Sequence, residues 1–174
     1  MNPVERPKAT TMKGNPLTLV GPVRKAGDKL PDFTLVDNSL KPVTAADTAG
    51  KVRIFSVVPS LDTPVCDLQT KRFNEEAGKF GDKVKVYTVS ADLPFAQKRW
   101  CGAANATNVQ TLSDYQTGSF GQAMGTFIKE LHLESRAVFV VDGGGTIRYA
   151  EYVPEIGEHP QYDAALAVAK SLLN

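Results

Sequence analysis

The chain has 174 residues, of which 42% are hydrophobic and 22% charged, proportions that are ordinary for one soluble globular domain. Its 20 basic and 19 acidic residues leave a net charge of +1, so no overall field attracts nucleic acid or an anionic membrane surface. No apolar run reaches the length of a bilayer span, and residues 1–8 contain no signal-peptide core, so a cytoplasmic location is expected unless a longer precursor is processed.

The N-terminal third of the chain predicts an arm followed by three strands. Residues 1–13 are polar and show no hydrophobic periodicity, which indicates a flexible arm outside a single domain formed by residues 14–174. Leu17–Val20 and Phe33–Val36 are short apolar runs that end at turn residues, and each predicts a strand. Val52–Val58 is almost wholly apolar and rich in β-branched residues, which is typical of a strand buried on both faces of a sheet.

The middle of the chain alternates between helix and strand. From Thr63 to about Phe80 the apolar residues fall on one helical face, and residues 84–89 predict the next strand. Asp92-Leu93-Pro94 opens a second helix, which carries Cys101 and ends near Gly102. Strand–helix–strand units of this kind predict parallel strands with helices on the faces of the sheet.

The last third predicts a helix, a hairpin and a final helix. Residues 118–128 are a helix candidate, and residues 137–141 form a second buried strand. The triple glycine at 143–145 turns that strand back into residues 146–149 as an antiparallel hairpin. The apolar residues between Tyr162 and Leu173 lie on one helical face. The predicted fold is therefore α/β, with a mixed central sheet flanked by helices.

The most informative segment joins the first buried strand to the helix that follows it. Thr63 suits the N-cap and Pro64 the first helical position, so Cys66 falls in the first turn. There, unpaired backbone N–H groups and the positive end of the helix dipole stabilise a negative charge. Because cysteine attacks as a thiolate, this position indicates a reactive sulfur. From these residues alone, a small buried apolar side chain at a capped helix start stays open as the alternative.

Pro59, Thr63 and Cys66 match the Pro-x-x-x-Thr-x-x-Cys signature of peroxiredoxins. The likeness extends from about residue 14 to the C-terminus, and it resembles most the thiol peroxidase branch, the atypical two-cysteine peroxiredoxins. The segments that carry it, in the expected order, are residues 56–66, 90–97, 99–102, 136–142 and 162–167.

The resemblance implies a thioredoxin-like fold with an N-terminal β-hairpin, usually as a homodimer. It also implies reduction of hydrogen peroxide and organic hydroperoxides, with thioredoxin as the reductant. No metal, haem, flavin or other cofactor is implied. The close pairs of ligands that a zinc site requires are absent, since His132 and His159 are isolated from each other and from the cysteines.

The resemblance also implies a role for each of five residues. Cys66 is the peroxidatic thiolate, which becomes a sulfenic acid, and Cys101 is the resolving thiol that joins it in a disulfide. The Thr63 hydroxyl contacts the peroxide and the thiolate, and the Arg136 cation stabilises the negative charge. Pro59 shields the thiolate from water. The ordinary alternatives stay open: an N-cap, a solvated strand-end charge and a turn proline for Thr63, Arg136 and Pro59, and a buried helix thiol for Cys101.

The two sulfurs are expected in opposite electrostatic settings. Cys101 lies near the end of its helix, where the dipole disfavours a thiolate. A disulfide requires Cα atoms within about 7 Å. Because Cys66 and Cys101 belong to different helices, we expect them to be too far apart to bond in the reduced fold. Both helices must then loosen locally before the disulfide forms.

Two rival functions are weaker. A thioredoxin-type oxidoreductase uses Cys-x-x-Cys at a helix start, but Gln69 occupies the place of the second cysteine. A non-catalytic scaffold would keep its cysteines only as core filler. Three aromatic residues have more than one possible role: Phe95, Trp100 and Phe120. Core packing is the first expectation for each, and a peroxide pocket or a dimer contact is the second.

Overall fold

The computed structural model describes residues 3–174, which form two β-sheets and four α-helices. The strands are β1 (Glu5–Met12), β2 (Asn15–Val20), β3 (Thr34–Val36), β4 (Pro42–Thr44), β5 (Val52–Val57), β6 (Val84–Ser90), β7 (Val109–Ser113), β8 (Phe127–Ile128), β9 (Leu133–Glu134), β10 (Ala137–Val141) and β11 (Ile147–Tyr152). The helices are α1 (Pro64–Phe80), α2 (Pro94–Ala104), α3 (Ser119–Met124) and α4 (Tyr162–Ser171). Among these helices, none combines the length and the apolar character needed to cross a membrane.

The large sheet has seven strands in the order β11-β10-β5-β6-β7-β3-β4. Its centre, β5-β6-β7, is parallel, and every other neighbouring pair is antiparallel. The predicted mixed, helix-flanked sheet is therefore confirmed. Strands β4 and β7 were not predicted, because β4 has only three residues and β7 mixes polar with apolar residues without a clear alternation.

Each face of the large sheet is covered by a separate apolar cluster. Helices α1, α2 and α4 pack on one face, where the buried residues include Ile54, Phe73, Val86, Val138, Val140 and Ala165. Helix α3 and the segment just before β3 pack on the other face, where the buried residues include Phe33, Phe55, Leu112, Phe120, Met124 and Phe139. Each large apolar side chain that is fully buried contributes roughly 1.5–3 kcal/mol to folding. The helices that carry the two cysteines thus lie on the same face.

One row of that face is polar. Ser56, Thr88 and Thr111 occupy matching positions on β5, β6 and β7, and all three side chains are buried. The Ser56 hydroxyl accepts a hydrogen bond from Gln69 of α1, and the Thr111 hydroxyl contacts the sulfur of Cys101 in α2. Between them, the Thr88 hydroxyl has no hydrogen-bond partner within residues 3–174. The two helices therefore rest on a strip of hydroxyl groups as well as on hydrocarbon.

The segment predicted as a flexible arm is a strand. Residues 5–12 of the predicted arm form β1, which pairs with β2 in a hairpin at the edge of a small sheet of order β1-β2-β8-β9. Distant contacts hold it, since the buried Thr10 hydroxyl donates to the Pro154 carbonyl and Arg6 Nε donates to the carbonyl of Gly21. The hairpin itself agrees with the resemblance. Residues 1 and 2 of the predicted arm lie outside the described residues.

The helix predicted over residues 118–128 is shorter than expected. Helix α3 ends at Met124, because Gly125 takes a left-handed backbone conformation (φ 73°). A Cβ atom at Gly125 would lie 2.2 Å from the carbonyl oxygen of Pro22, so only glycine fits there. The chain then enters β8, which pairs with β2 and connects the hairpin to the rest of the fold.

Candidate active site

Cys66 lies in the first turn of α1, just after the carboxyl end of β5. Thr63 has the extended backbone of an N-cap residue, and Pro64 occupies the first helical position, as predicted. The Thr63 side chain does not cap the helix, however, because its hydroxyl donates to the carbonyl of Ser60 at 2.9 Å. The Asp67 amide donates to the Thr63 carbonyl and closes the first turn. This arrangement leaves the Cys66 sulfur at the positive end of a 17-residue helix.

Arg136 reaches the Cys66 sulfur from the neighbouring strand. It directly precedes β10, whose first residue pairs with the last residue of β5, so the two segments meet at the same edge of the sheet. Its Nη2 donates to Cys66 Sγ at 3.1 Å, its Nη1 to Gln69 Oε1 at 2.9 Å and its Nε to the Ile156 carbonyl at 2.8 Å. Cys66 is 0% exposed and Arg136 is 2% exposed. A fully oriented, buried cation therefore donates to the sulfur.

Gln69 orients this cation, and the sequence reasoning missed that role. While Gln69 Oε1 accepts from Arg136, its Nε2 donates to the buried hydroxyl of Ser56 at 2.8 Å. The amide therefore cannot rotate without losing both contacts. The available signal was the spacing, because a side chain three residues after Cys66 lies on the same face of α1.

A cavity of about 220 Å³ opens beside this pair, and three of the predicted residues line it: Pro59, Thr63 and Arg136. Cys66 itself is fully buried and is not among the lining residues. The remaining walls are mostly apolar and come from distant parts of the chain: Met12, Lys13, Ser60, Pro64, Val65, Leu133, Glu155, Ile156 and Gly157. The cavity suits a small ligand that has one polar end and a hydrocarbon portion.

Glu155 attaches the β1–β2 hairpin to this cavity. Its carboxylate accepts hydrogen bonds from the Thr11 hydroxyl and from the backbone amides of Gly14 and Gly157. These bonds, those from the two backbone amides first, lower the pKa of Glu155. The next residue, Ile156, donates its amide to the Thr11 carbonyl and accepts from Arg136. The hairpin thus connects to the Arg136 guanidinium through one short loop. No pattern in the sequence indicates this connection.

Cys101 lies in α2, away from Cys66. Its Sγ is 3.6 Å from the hydroxyl of Thr111 on β7. Burial raises the pKa of the Cys101 thiol, and the Thr111 contact offsets part of that rise. Thr111 is two strands from Ser56, a separation of roughly 10 Å across the sheet. Both cysteines are free thiols; that they lie too far apart to bond in the reduced fold stays a prediction.

Two sets of hydrogen bonds connect the segments that carry the cysteines. Asp92, just before α2, accepts from the Ser60 hydroxyl at 2.7 Å and from the Leu61 amide at 2.8 Å. Trp100 Nε1 donates to Asp67 Oδ1 at 2.8 Å, and the indole packs against the cluster formed by Val58, Leu61 and Cys66.

The other two aromatic residues have separate outcomes. Phe120 is buried in the aromatic core beneath α3, so core packing is correct for it. Phe95 is 64% exposed, so the prediction that it packs in the core is wrong.

A pair of buried carboxyl groups lies apart from the cavity, at the start of α3. Asp114 accepts from the backbone amides of Phe120 and Gly121, and Glu134 accepts from the Thr126 hydroxyl. Burial, with the neighbouring Asp114, raises the pKa of Glu134 well above its usual value, and burial also raises the pKa of Asp114. Across residues 3–174, no group of three or more His, Cys, Asp or Glu side chains is arranged to hold a metal.

Comparisons with known proteins agree with one another. The family model described as Redoxin matches residues 25–166. The chain is 58% identical over 163 residues to a thiol peroxidase of Bacillus subtilis, and the aligned region covers 94% of this chain and 97% of that protein. It is 55% identical over 163 residues to a thiol peroxidase of Halalkalibacterium halodurans, with coverage of 94% and 98%. The crystal structure of a peroxiredoxin-like protein from Aquifex aeolicus has a TM-score of 0.88 at 39% identity and covers 99% of each chain.

Proposed function

This chain belongs to the Redoxin family and, within it, to the thiol peroxidases, and we propose that Cys66 is the thiol with which it reduces hydroperoxides. The observation that carries the assignment is the 3.1 Å contact between the Cys66 sulfur and Nη2 of Arg136, a residue that lines a mostly apolar cavity. A permanent cation that donates to sulfur in a buried site favours the thiolate and the negative charge that develops on oxygen.

In the first step the Cys66 thiolate attacks the outer oxygen of the hydroperoxide. An S–O bond forms and the O–O bond breaks, so sulfur is oxidised by two electrons and the peroxide is reduced. The departing oxygen takes a proton and leaves as water or an alcohol. Thr63, Arg136 and Pro59 line the cavity, which supports the roles assigned to them: Thr63 and Arg136 contact the peroxide oxygens, and Pro59 shields the thiolate from water.

In the second step the Cys101 thiol attacks the sulfenic acid on Cys66. An S–S bond forms, the S–O bond breaks, and the hydroxyl leaves as water with the proton of Cys101. The raised pKa of Cys101 supports this division of labour, because the resolving sulfur then stays a thiol while Cys66 is reduced. Both helices must loosen for the sulfurs to meet.

Five finer assignments complete the proposal. Thioredoxin returns the electrons by reducing the Cys66–Cys101 disulfide, the protein acts as a homodimer, and it acts in the cytoplasm on hydrogen peroxide and organic hydroperoxides. Residues 14–174 act as a single domain to which β1 is attached. The family resemblance supports the reductant, the homodimer, the substrates and the domain bounds, whereas the cytoplasmic location is the expectation drawn from the sequence. The apolar cavity walls support organic hydroperoxides as substrates.

The test is peroxide-dependent NADPH oxidation coupled through thioredoxin and its reductase. Wild type should turn over, and Cys66→Ser should not. Cys101→Ser should consume one equivalent of peroxide to form sulfenic acid on Cys66 but fail to be recycled, and with excess peroxide mass spectrometry should find sulfinic or sulfonic acid there. Full turnover by Cys66→Ser would overturn the assignment of Cys66, and normal recycling of Cys101→Ser would overturn that of Cys101.

A further inference from the structure

The hydrogen bond between Asp67 and Trp100 joins the two residues that are sequence neighbours of the two cysteines. Asp67 follows Cys66 in the first turn of α1, and Trp100 precedes Cys101 in α2. Trp100 Nε1 donates to Asp67 Oδ1 at 2.8 Å, and both side chains are only half-buried. We propose that this pair, here called the indole latch, holds the two helices in the reduced arrangement and must open before the Cys66–Cys101 disulfide forms. The inference rests on the proposed function, in which Cys101 resolves the oxidised Cys66.

Because of the position of the indole, the latch and the Cys66–Cys101 disulfide cannot be present at the same time. Trp100 packs against the cluster of Val58, Leu61 and Cys66, whereas the sulfur of Cys101 contacts Thr111 on β7. Successive residues of an α-helix are about 100° apart around its axis. Cys101 therefore reaches the surroundings of Cys66 only if α2 rotates by about that angle or unwinds. Either movement removes Trp100 from the place that it occupies.

The latch also holds the attacking sulfur in place. Asp67 lies one residue after Cys66, and its amide closes the first turn through the Thr63 carbonyl. A bond from Asp67 to the neighbouring helix thus keeps that turn wound while Arg136 donates to the sulfur. Asp67 and Trp100 are positioning residues in this account. They favour the first step, which requires the wound turn, and delay the second, which requires its release.

Over-oxidation is the expected consequence of the delay. The sulfenic acid of Cys66 either meets Cys101 or reacts with a second hydroperoxide to give sulfinic acid. A slower opening of the latch lengthens the time available for the second reaction. The latch therefore sets how much peroxide the protein tolerates before Cys66 is inactivated.

The wild-type chain carries its own reporter, because Trp100 is its only tryptophan. Indole emission should shift when one equivalent of hydrogen peroxide converts wild type to the disulfide form, since the indole leaves Asp67 and the apolar cluster. In Cys101→Ser the same peroxide should oxidise Cys66 with no such shift. An unchanged emission spectrum in protein that mass spectrometry shows to be fully disulfide-bonded would overturn the latch.

The second measurement is the rate of disulfide formation in Trp100→Phe, which keeps an aromatic ring and loses the N–H donor. We expect this rate to rise about fivefold, as the loss of one hydrogen bond allows, and the yield of sulfinic Cys66 at high peroxide to fall. Lys71→Ala is the matched control, because Lys71 pairs with the other oxygen of Asp67 at 2.9 Å and leaves the indole bond intact. Its rate should equal that of wild type.

The outcomes separate the latch from the proposed function. If wild type forms no intramolecular disulfide at all, Cys101 is not the resolving residue and the proposed function is wrong. If the disulfide forms and Trp100→Phe resolves at the wild-type rate, only the latch is wrong. The wild-type emission measurement decides the matter independently should Trp100→Phe not fold.

Discussion

Replacing Arg136 with methionine tests the central interaction of the site. The side chain makes three hydrogen bonds, to Cys66, Gln69 and the Ile156 carbonyl, and is 2% exposed. A hydrogen bond to a charged group contributes about 1.5–3 kcal/mol, which corresponds to roughly a 10- to 100-fold change in rate when it acts in the transition state. Arg136→Met should therefore slow the reaction of reduced protein with hydrogen peroxide by about that factor at neutral pH. Stopped-flow measurement of the first oxidation, in the absence of a reductant, isolates this step.

Two further variants sharpen the test. Arg136→Lys keeps the charge but lacks the planar group that reaches three partners, so its rate should fall between those of wild type and Arg136→Met. Arg148→Ala removes a half-exposed arginine that pairs with Asp142 far from the cavity, and its rate should match wild type. A folded Arg136→Met protein that reacts with peroxide within about twofold of the wild-type rate would refute the reasoning.

Three other predictions concern the hairpin, the carboxyl pair and α2. Glu155→Ala should free the hairpin turn from the cavity, because the carboxylate binds Thr11 and Gly14. Steady-state assays should then show a larger rise in KM for a bulky organic hydroperoxide than for hydrogen peroxide, and equal rises would contradict this role. Because the pKa of Glu134 is raised, the folded chain keeps a proton that the unfolded chain releases above its ordinary value of about 4.3, so the free energy of unfolding falls as pH rises toward the folded pKa. Thermal unfolding should thus show Glu134→Gln gaining stability relative to wild type from mildly acidic to mildly alkaline buffer, and a constant difference would disprove the assignment. Gly102 lies within the sequence of α2, and a Cβ atom there would meet open space, so Gly102→Ala should stabilise that helix by about 0.5–1 kcal/mol. Disulfide formation, followed by quenched mass-spectrometric time courses, should then slow about two- to fivefold. An unchanged or faster rate would mean that α2 does not loosen.

The strongly patterned elements were predictable from the sequence. Strand β10 is a continuous apolar run, β5 is mostly apolar and β-branched, and α1 and α4 have long amphipathic patterns, so local residues alone indicate both their type and their position. Strand β1 was missed because half of its residues are exposed and its side-chain hydrogen bonds go to Gly21, Val153 and Pro154. No local pattern contains contacts of that range.

The same distinction applies to the candidate site. Pro59, Thr63 and Cys66 belong to one local motif, and Arg136 directly precedes a strand whose pairing with β5 follows from the fold. The residues that orient these groups were not predictable in the same way. Gln69, Glu155 and the Asp67–Trp100 pair act through contacts between distant segments, and each has an ordinary surface or helix role when read from the sequence alone.

When α1 and α2 move apart, the strip that they uncover at Ser56, Thr88 and Thr111 is one that water wets readily. Solvent supplies Thr88 with the partner that it lacks within residues 3–174 of the closed fold, which recovers part of the free energy lost when the helices separate. An apolar strip in the same place would bind other molecules whose helices had also separated, each time the protein was oxidised. In the proposed mechanism, the hydroxyl row should therefore limit association between molecules whose helices have separated.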